Sequence, residues 1–226
     1  MLKGKAVKIN KLTNNQKEKM YLIMTKYYEN IKEQNFYADL GKKIEAILLC
    51  DANGEIHGFT TLAIFLYDKR TQLVFSGDTI VEKEYWGIHD LGETWLERAF
   101  SYAENFEGQT YWLLLSKGYK TYKYLHTFYN TFYPCVDKET PSEVQAVIDK
   151  FATEQFGNKY KNGVYAAGKD FLKEEFDDVS DAKLKNKHTS FFFEKNPNYK
   201  QGDELVCITE LSLENLNRLG RRMLDK

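Results

Sequence analysis

The chain has 226 residues, a formal net charge of −1 and 42% hydrophobic residues. This length predicts one generous domain, or one domain with an appendage. The near-neutral charge argues against a nucleic-acid coat or a membrane-surface binder, since both need a strong basic excess. The three cysteines, Cys50, Cys135 and Cys207, are far apart and form no CxxC pair. We therefore expect neither a zinc site nor a disulfide scaffold, and no other metal.

The composition also indicates where the protein resides. No apolar run approaches the ~20 residues that a membrane span requires. The first residues, "MLKGKAVKINKL", lack the apolar core of a secretion signal. Scattered free thiols are typical of a reducing compartment. The sequence therefore predicts a soluble, cytoplasmic protein.

The first part of the chain predicts a strand, a helix and a hairpin. "KAVKINKLT" alternates as a short strand does, and Thr13 can cap the amphipathic helix that follows. Asn53 and Gly54 form a favoured tight-turn pair between two β-rich runs, which predicts a hairpin. "TQLVFSGDTIV" is expected to be a third strand, and a helix should follow from about Leu91 to Ala103.

The middle of the chain continues this alternation of strands and helices. "TYWLLLS" is a short apolar run, as is typical of a central buried strand. A helix should follow from about Tyr119 to Thr131. Another helix is expected to start near Pro141 and to stop at Gly157. The polar stretch after that glycine, up to about residue 187, predicts a long loop or flap.

The last part predicts two strands and a terminal helix. "HTSFFFEKN" and "DELVCITEL" are expected to be strands, with Phe191 and Phe193 on one face. "SLENLNRLGRRMLDK" should be a helix that opens with the capping-box-like pair Ser212 and Asn215. The order of elements predicts an α/β fold with a mixed sheet and helices on its faces.

Two segments resemble the GNAT superfamily of N-acyltransferases. The first is "EYWGIHDLGETWLERAF", in which Glu84-Tyr85 precede the loop and Gly87 and Gly92 match glycines of the family. The second is "TYKYLHTFYNTFYP". The resemblance covers roughly Lys5–Pro134 and the final strand pair. The whole chain also resembles bacterial proteins that share its "SGDTIV" and "YWG" stretches, but that likeness implies no activity.

The resemblance implies both a fold and a division of the chain. We expect a GNAT-like mixed, mostly antiparallel sheet flanked by helices, with a C-terminal helix-loop-hairpin-helix elaboration. Residues 1–134 would form the acyltransferase core. Residues 135–226 would complete the sheet and cover the cleft, and the two parts would form one compact unit.

The implied activity is acyl transfer from an acyl thioester to an amine of a small molecule or a protein. The donor would be acyl-CoA or an acyl carrier protein. In the family, backbone N–H groups at a helix N-terminus hold the donor's pyrophosphate. The positions that match the family's donor site, or that could contact the donor, are Val81, Glu82, Trp86, Gly87, His89, Gly92, Ser116, Lys117 and Lys120.

The donor loop departs from the family pattern at three positions. Trp86 stands where the family has Arg, and His89 stands where it has its central Gly. Asp90 brings negative charge and is expected to cap the helix, using the same N–H groups that an anion would use. An alternative hypothesis is therefore a catalytically silent, GNAT-shaped protein that binds a ligand or acts as a scaffold.

The catalytic candidates are a carboxylate and two tyrosines. Family general bases are often carboxylates on the strand that contains Asp78, which could take a proton from an ammonium; alternatively, Asp78 is structural. Phe128 stands where the family has its general-acid Tyr. The neighbouring Tyr124 and Tyr129 could donate a proton to a leaving thiolate, or could simply be core or rim aromatics.

The lysines near the start of the same helix suggest a role in holding the donor. Lys117 and Lys120 lie among tyrosines, a pattern that can hold phosphates or meet an acidic carrier protein. Alternatively, they form a solvated basic face.

Overall fold

The computed structural model describes residues 2–168, 170–177 and 179–224. The strands are β1 (Lys3–Lys8), β2 (Tyr28–Glu29), β3 (Glu45–Cys50), β4 (Ile56–Leu66), β5 (Thr71–Val81), β6 (Gln109–Ser116), β7 (Tyr160–Lys161), β8 (Val164–Tyr165), β9 (Phe171–Leu172) and β10 (Glu204–Glu210). The helices are α1 (Asn14–Tyr27), α2 (Glu33–Leu40), α3 (Asp90–Glu104), α4 (Tyr119–Phe128), α5 (Ser142–Phe156), α6 (Asp181–Leu184), α7 (Lys187–Lys195) and α8 (Arg218–Arg222).

The main sheet has eight strands in the order β1-β3-β4-β5-β6-β10-β8-β7, and β2 and β9 form a small second sheet. All neighbouring strands are antiparallel except β5 and β6, which run parallel. The predicted α/β class, with a mixed and mostly antiparallel sheet flanked by helices, is therefore confirmed. Within the described ranges, no helix combines the length and the apolar character that crossing a membrane requires.

The central strands are buried on both faces, because their side chains alternate between two layers of helices. On one face Leu48 of β3 belongs to the same apolar cluster as Met20 of α1. Helix α5 covers the neighbouring part of that face. On the other face Ile47 of β3 shares a cluster with Trp95 of α3 and Leu125 of α4. This layering brings the starts of α3 and α4 to the same side of the sheet.

The two parallel strands separate before they end. β5 pairs with β6 from Thr71 to Ser76, and the remaining residues of β5 are not paired with β6. On its other side β5 carries a bulge, since Gly77 and Asp78 together lie opposite the single residue Thr61 of β4. A bulge bends the strand that carries it. A V-shaped opening therefore forms between the end of β5 and the end of β6.

Several local predictions are confirmed. Thr13 caps α1 through a capping box with Gln16. Gly54 has a φ of 84° in the turn between β3 and β4, a conformation that glycine adopts easily. Helix α5 begins after Pro141 and ends at Gly157, whose φ is 57°.

The strand prediction for "HTSFFFEKN" is wrong, because this stretch lies in α7. The Asn186 side chain accepts hydrogen bonds from the backbone N–H groups of His188 and Thr189 and so caps the helix. Phe192 is fully buried against the ring of Tyr122 in α4. Packing of this kind overrides the β propensity of an aromatic run. The C-terminal elaboration therefore places a helix, not a hairpin strand, before β10.

Helix boundaries differ from prediction at three places. Helix α2 was not predicted, and α4 ends at Phe128 instead of Thr131. The terminal helix is limited to α8, which Asn217 caps by accepting hydrogen bonds from two N–H groups. Asn215 instead uses its side chain to join Thr131 to β10. Residues 225 and 226, the end of the predicted helix, lie outside the described residues.

Candidate functional site

A cavity of about 250 Å³ lies at the opening between β5 and β6. Its wall includes the end of β5, the start of α4 and the small sheet of β2 and β9. Seven of the lining residues are aromatic, and aromatic side chains are common in ligand-binding clefts. The aromatic lining residues are Tyr27, Tyr28, Trp86, Tyr119, Phe171, Phe176 and Tyr199.

Part of the stretch predicted as a flap forms one wall of this cavity. Leu172 of β9 pairs with Tyr28 of β2. The Nζ atom of Lys173 donates a hydrogen bond to the carbonyl oxygen of Thr25, 3.0 Å away. The ring of Phe176 lies 4.5 Å from the ring of Tyr27. These contacts join residues 171–177 to the end of α1.

A largely buried lysine connects this wall to the sheet. Lys117, directly after β6, forms ion pairs with Asp170 and with Glu204, whose carboxylate is 3.2 Å away. Its ammonium also lies 5.1 Å from the centre of the Tyr28 ring. Burial alone would lower the pKa of Lys117, but the two carboxylates outweigh it and raise the pKa above its usual range. Lys117 therefore remains an ammonium, already engaged by carboxylates of its own chain.

Asp78 lies at the β5 bulge, half-buried beside this ion-pair cluster. Burial raises the pKa of Asp78 to about 6, and the nearby carboxylate of Asp39 contributes in the same direction. The ammonium groups of Lys43 and Lys117 act in the opposite direction. A carboxylate with such a pKa is ionised near neutral pH and can accept a proton. Perturbed carboxylates beside a cleft are typical of functional sites.

Tyr28 is a lining residue that the sequence did not single out. Its pKa is raised by burial, against the opposing effect of the Lys117 ammonium. Asp78 is close enough to contribute to that shift. Only the pairing of β2 with β9 brings Tyr28 to the cavity, and no local pattern in the sequence predicted that pairing.

The loop before α3 is held by a side chain of its own, and its helix cap differs from the prediction. Trp86 donates from its indole Nε1 to the carbonyl oxygen of Val81, at 2.9 Å. The Lys120 ammonium lies 4.1 Å from the centre of the Trp86 ring, and Trp86, Lys120 and Val81 all line the cavity. The expectation that Asp90 caps α3 is wrong: Asp90 is its first residue, and His89 precedes it without a side-chain cap bond. His89 is exposed.

The start of α3 is covered by side chains from elsewhere in the chain. A Cβ atom added at Gly92 would lie 3.5 Å from Cε of Met223 and 3.9 Å from the Tyr124 ring. Gly87, in the same loop, has a φ of 96° and open space around it. Glycine suits Gly87 because of its backbone conformation.

Other candidate residues lie away from the cavity lining. Ser116 is fully buried, and its hydroxyl accepts a hydrogen bond from the Cys207 thiol. Glu82 forms a hydrogen bond with His57 at 2.9 Å and with Lys26 at 3.1 Å. Tyr129 is buried against Trp112, and its hydroxyl has no partner in the part of the chain that the structure describes.

The structure thus divides the predicted site residues into two groups. Val81, Trp86, Lys117 and Lys120 line the cavity, and Asp78 adjoins it. Tyr124, with 44% of its surface exposed, packs instead on Phe128 and near the start of α3. Across residues 2–168, 170–177 and 179–224, no group of three or more His, Cys, Asp or Glu side chains is arranged to hold a metal ion.

No protein-family model and no curated protein matches the chain. It is similar to the solved structure of a GNAT family N-acetyltransferase from Escherichia coli in complex with CoA, with 12% identity, a TM-score of 0.39 and coverage of 57% of this chain and 69% of that chain. It is also similar to an acyl-CoA N-acyltransferase from Pseudomonas aeruginosa, with 16% identity, a TM-score of 0.40 and coverage of 57% and 88%.

Proposed function

We propose that this protein is an N-acyltransferase that moves an acyl group from a thioester to an amine at the opening between β5 and β6. The observation that carries the proposal is Asp78, a half-buried carboxylate with a pKa of about 6 at the point where the two strands separate. A base with this pKa can deprotonate an ammonium near neutral pH.

The proposed reaction begins when Asp78 takes a proton from the bound ammonium, directly or through a water molecule. The neutral amine then attacks the thioester carbonyl. The Glu82 backbone N–H donates to the backbone carbonyl oxygen of His57 in β4. Successive backbone N–H groups of a strand point to its two opposite edges. The Val81 N–H therefore points away from β4, to the edge of β5 that is not paired with β6. We propose that it stabilises the oxyanion.

The leaving thiolate needs a proton, and we propose Tyr28 as its donor; the proton that the attacking nitrogen loses as the amide forms then restores the Tyr28 hydroxyl. Tyr28 lines the cavity, and burial raises its pKa, so its hydroxyl keeps its proton until the thiolate forms. Tyr124 and Tyr129, which the sequence suggested as proton donors, are not among the described residues that line the cavity. The donor is acyl-CoA or an acyl carrier protein, and the acceptor is an amine of a small molecule or a protein. The three free cysteines support the cytoplasmic setting expected from the sequence.

The test is thiol release from acetyl-CoA and from acyl carrier protein in the presence of a panel of primary amines. With an active pair, Asp78→Asn should lower kcat by about 100-fold or more, the usual contribution of a general base. Asp68→Asn, in an exposed turn, is the matched control and should retain activity. Full activity of Asp78→Asn would refute the proposed role of Asp78, and no transfer from either donor to any amine would refute the proposed function.

One observation favours a second candidate function, a silent binding protein of the same shape. Trp86, held by Lys120 and by the Val81 carbonyl, and Met223 over Gly92 occupy the approach to α3. If these side chains exclude a donor, millimolar CoA will not raise the melting temperature, since only a ligand that binds the folded state stabilises it. Trp86→Ala should then restore a shift. A shift with the wild-type protein would remove this alternative.

A further inference from the structure

Three arginines on α8 form a positively charged surface. Arg218, Arg221 and Arg222 are all exposed, and with Asn130 and Asn217 they line a shallow depression. Among the residues that the structure describes, no carboxylate forms an ion pair with any of the three. Guanidinium groups are well suited to bidentate contact with carboxylates and phosphates. The partner of this surface should therefore be anionic.

The surroundings of the arginines favour a protein over a nucleic acid. Leu219, which lies on α8 between Arg218 and Gly220, is 50% exposed, so an apolar side chain accompanies the charged ones. Arginine beside exposed apolar groups is typical of a protein interface. A nucleic acid would need a wider basic footprint, and the chain as a whole has a net charge of −1.

The position of this arginine surface connects it with the candidate donor site. Gly220 of α8 packs closely against the backbone of Phe128 in α4. Met223, directly after α8, reaches the start of α3 beside Gly92. A partner bound on α8 would therefore sit next to the start of α3 and the end of α4, and the cavity opens at the loop before α3 and at the start of α4.

We propose that the arginine surface docks an acidic carrier protein, which presents the acyl thioester on its phosphopantetheine arm. This inference rests on the proposed function. A phosphopantetheine arm carries one phosphate, so this donor would not need an open pyrophosphate loop before α3. The carrier would supply most of its binding energy through its acidic surface and not through the arm.

The test measures binding of holo acyl carrier protein to the full chain by surface plasmon resonance. The variant is Arg218→Glu with Arg222→Glu, because Arg221 also donates to the Leu216 carbonyl and is left intact to preserve the fold. The control is Lys3→Glu with Lys5→Glu on β1, an edge strand of the main sheet, which makes the same change in charge. The α8 variant should weaken binding about tenfold or more, and the control should not. Wild-type binding should also weaken as salt rises.

The outcomes separate this inference from the proposed function. Equal binding by the two variants, or no binding of the carrier by the wild-type chain, overturns the docking proposal. If carrier binding is weakened by the α8 variant but no thioester supports transfer, the docking surface stands and the proposed function fails. If both variants transfer from the carrier with equal kcat/KM, the docking surface fails and the acyltransferase stands.

Discussion

Replacing Asp78 with Asn should stabilise the protein, and the gain should grow as pH rises. The folded-state pKa of Asp78 is about 6, raised from 3.8 mainly by burial. A carboxylate whose pKa is raised on folding does not destabilise the protein below its unfolded pKa. As pH rises through the folded pKa, the folded state must hold a charge that burial disfavours, and stability is lost. Asn at this position never carries that charge.

The magnitude follows from the size of the shift. A difference of about 2 pKa units corresponds to about 3 kcal/mol between the two protonation states. Because Asp78 is only half-buried, solvent screening should reduce the gain to about 1–2 kcal/mol at pH 8. At pH 4 the gain should fall to about 0.5 kcal/mol or less, since the folded-state carboxyl is then protonated.

The assay is urea denaturation of the wild-type chain, Asp78→Asn and Asp68→Asn between about pH 4 and pH 8. The difference in unfolding free energy between Asp78→Asn and the wild type should increase as pH rises through about 6. Asp68→Asn should differ from the wild type by the same amount at every pH. A variant that is less stable than the wild type at pH 8 would refute the reasoning, because it would show that the Asp78 carboxylate is a structural hydrogen-bond acceptor.

Three further changes test how the fold is held. Arg98→Met should lower the free energy of unfolding, measured by urea denaturation, by about 3–5 kcal/mol, because the nearly buried carboxylate of Glu45 would lose both of its bonds to the guanidinium. The double variant Arg98→Met, Glu45→Gln should regain part of this stability. If the single and the double variant are equally stable, the prediction is wrong. Thr13→Ala should cost about 1 kcal/mol by removing the α1 capping box, and a loss below the error of the measurement would count against that cap. Phe192→Ala should lower the free energy of unfolding by about 3–5 kcal/mol, because Phe192 is buried. Glu194→Ala, at an exposed position of the same helix, should leave stability unchanged. Equal losses from the two changes would contradict the packing of α7 described above.

The fold was more accessible from the sequence than the site was. Apolar, β-rich runs and the turn at Asn53-Gly54 predicted β3 to β6, and these strands form the centre of the sheet. For "HTSFFFEKN" the same reasoning failed, because a run of aromatic residues is compatible both with a buried strand and with a helix that packs against α4. Asp78 was singled out by its place on β5. Its raised pKa was not foreseeable, because the shift depends on burial and on Asp39, Lys43 and Asp170, which lie far from it in the chain.

The sequence by itself determined the local features of this protein. The Thr13 capping box, the turn at Gly54 and the end of α5 at Gly157 each depend on a few neighbouring residues, so their patterns are visible in the chain. The tertiary structure decided the site. The separation of β5 from β6, the ion pairs of Lys117 and the arrival of Tyr28 at the cavity each require segments distant in sequence to meet. Burial and charge interactions depend on those meetings, and no local pattern encodes them.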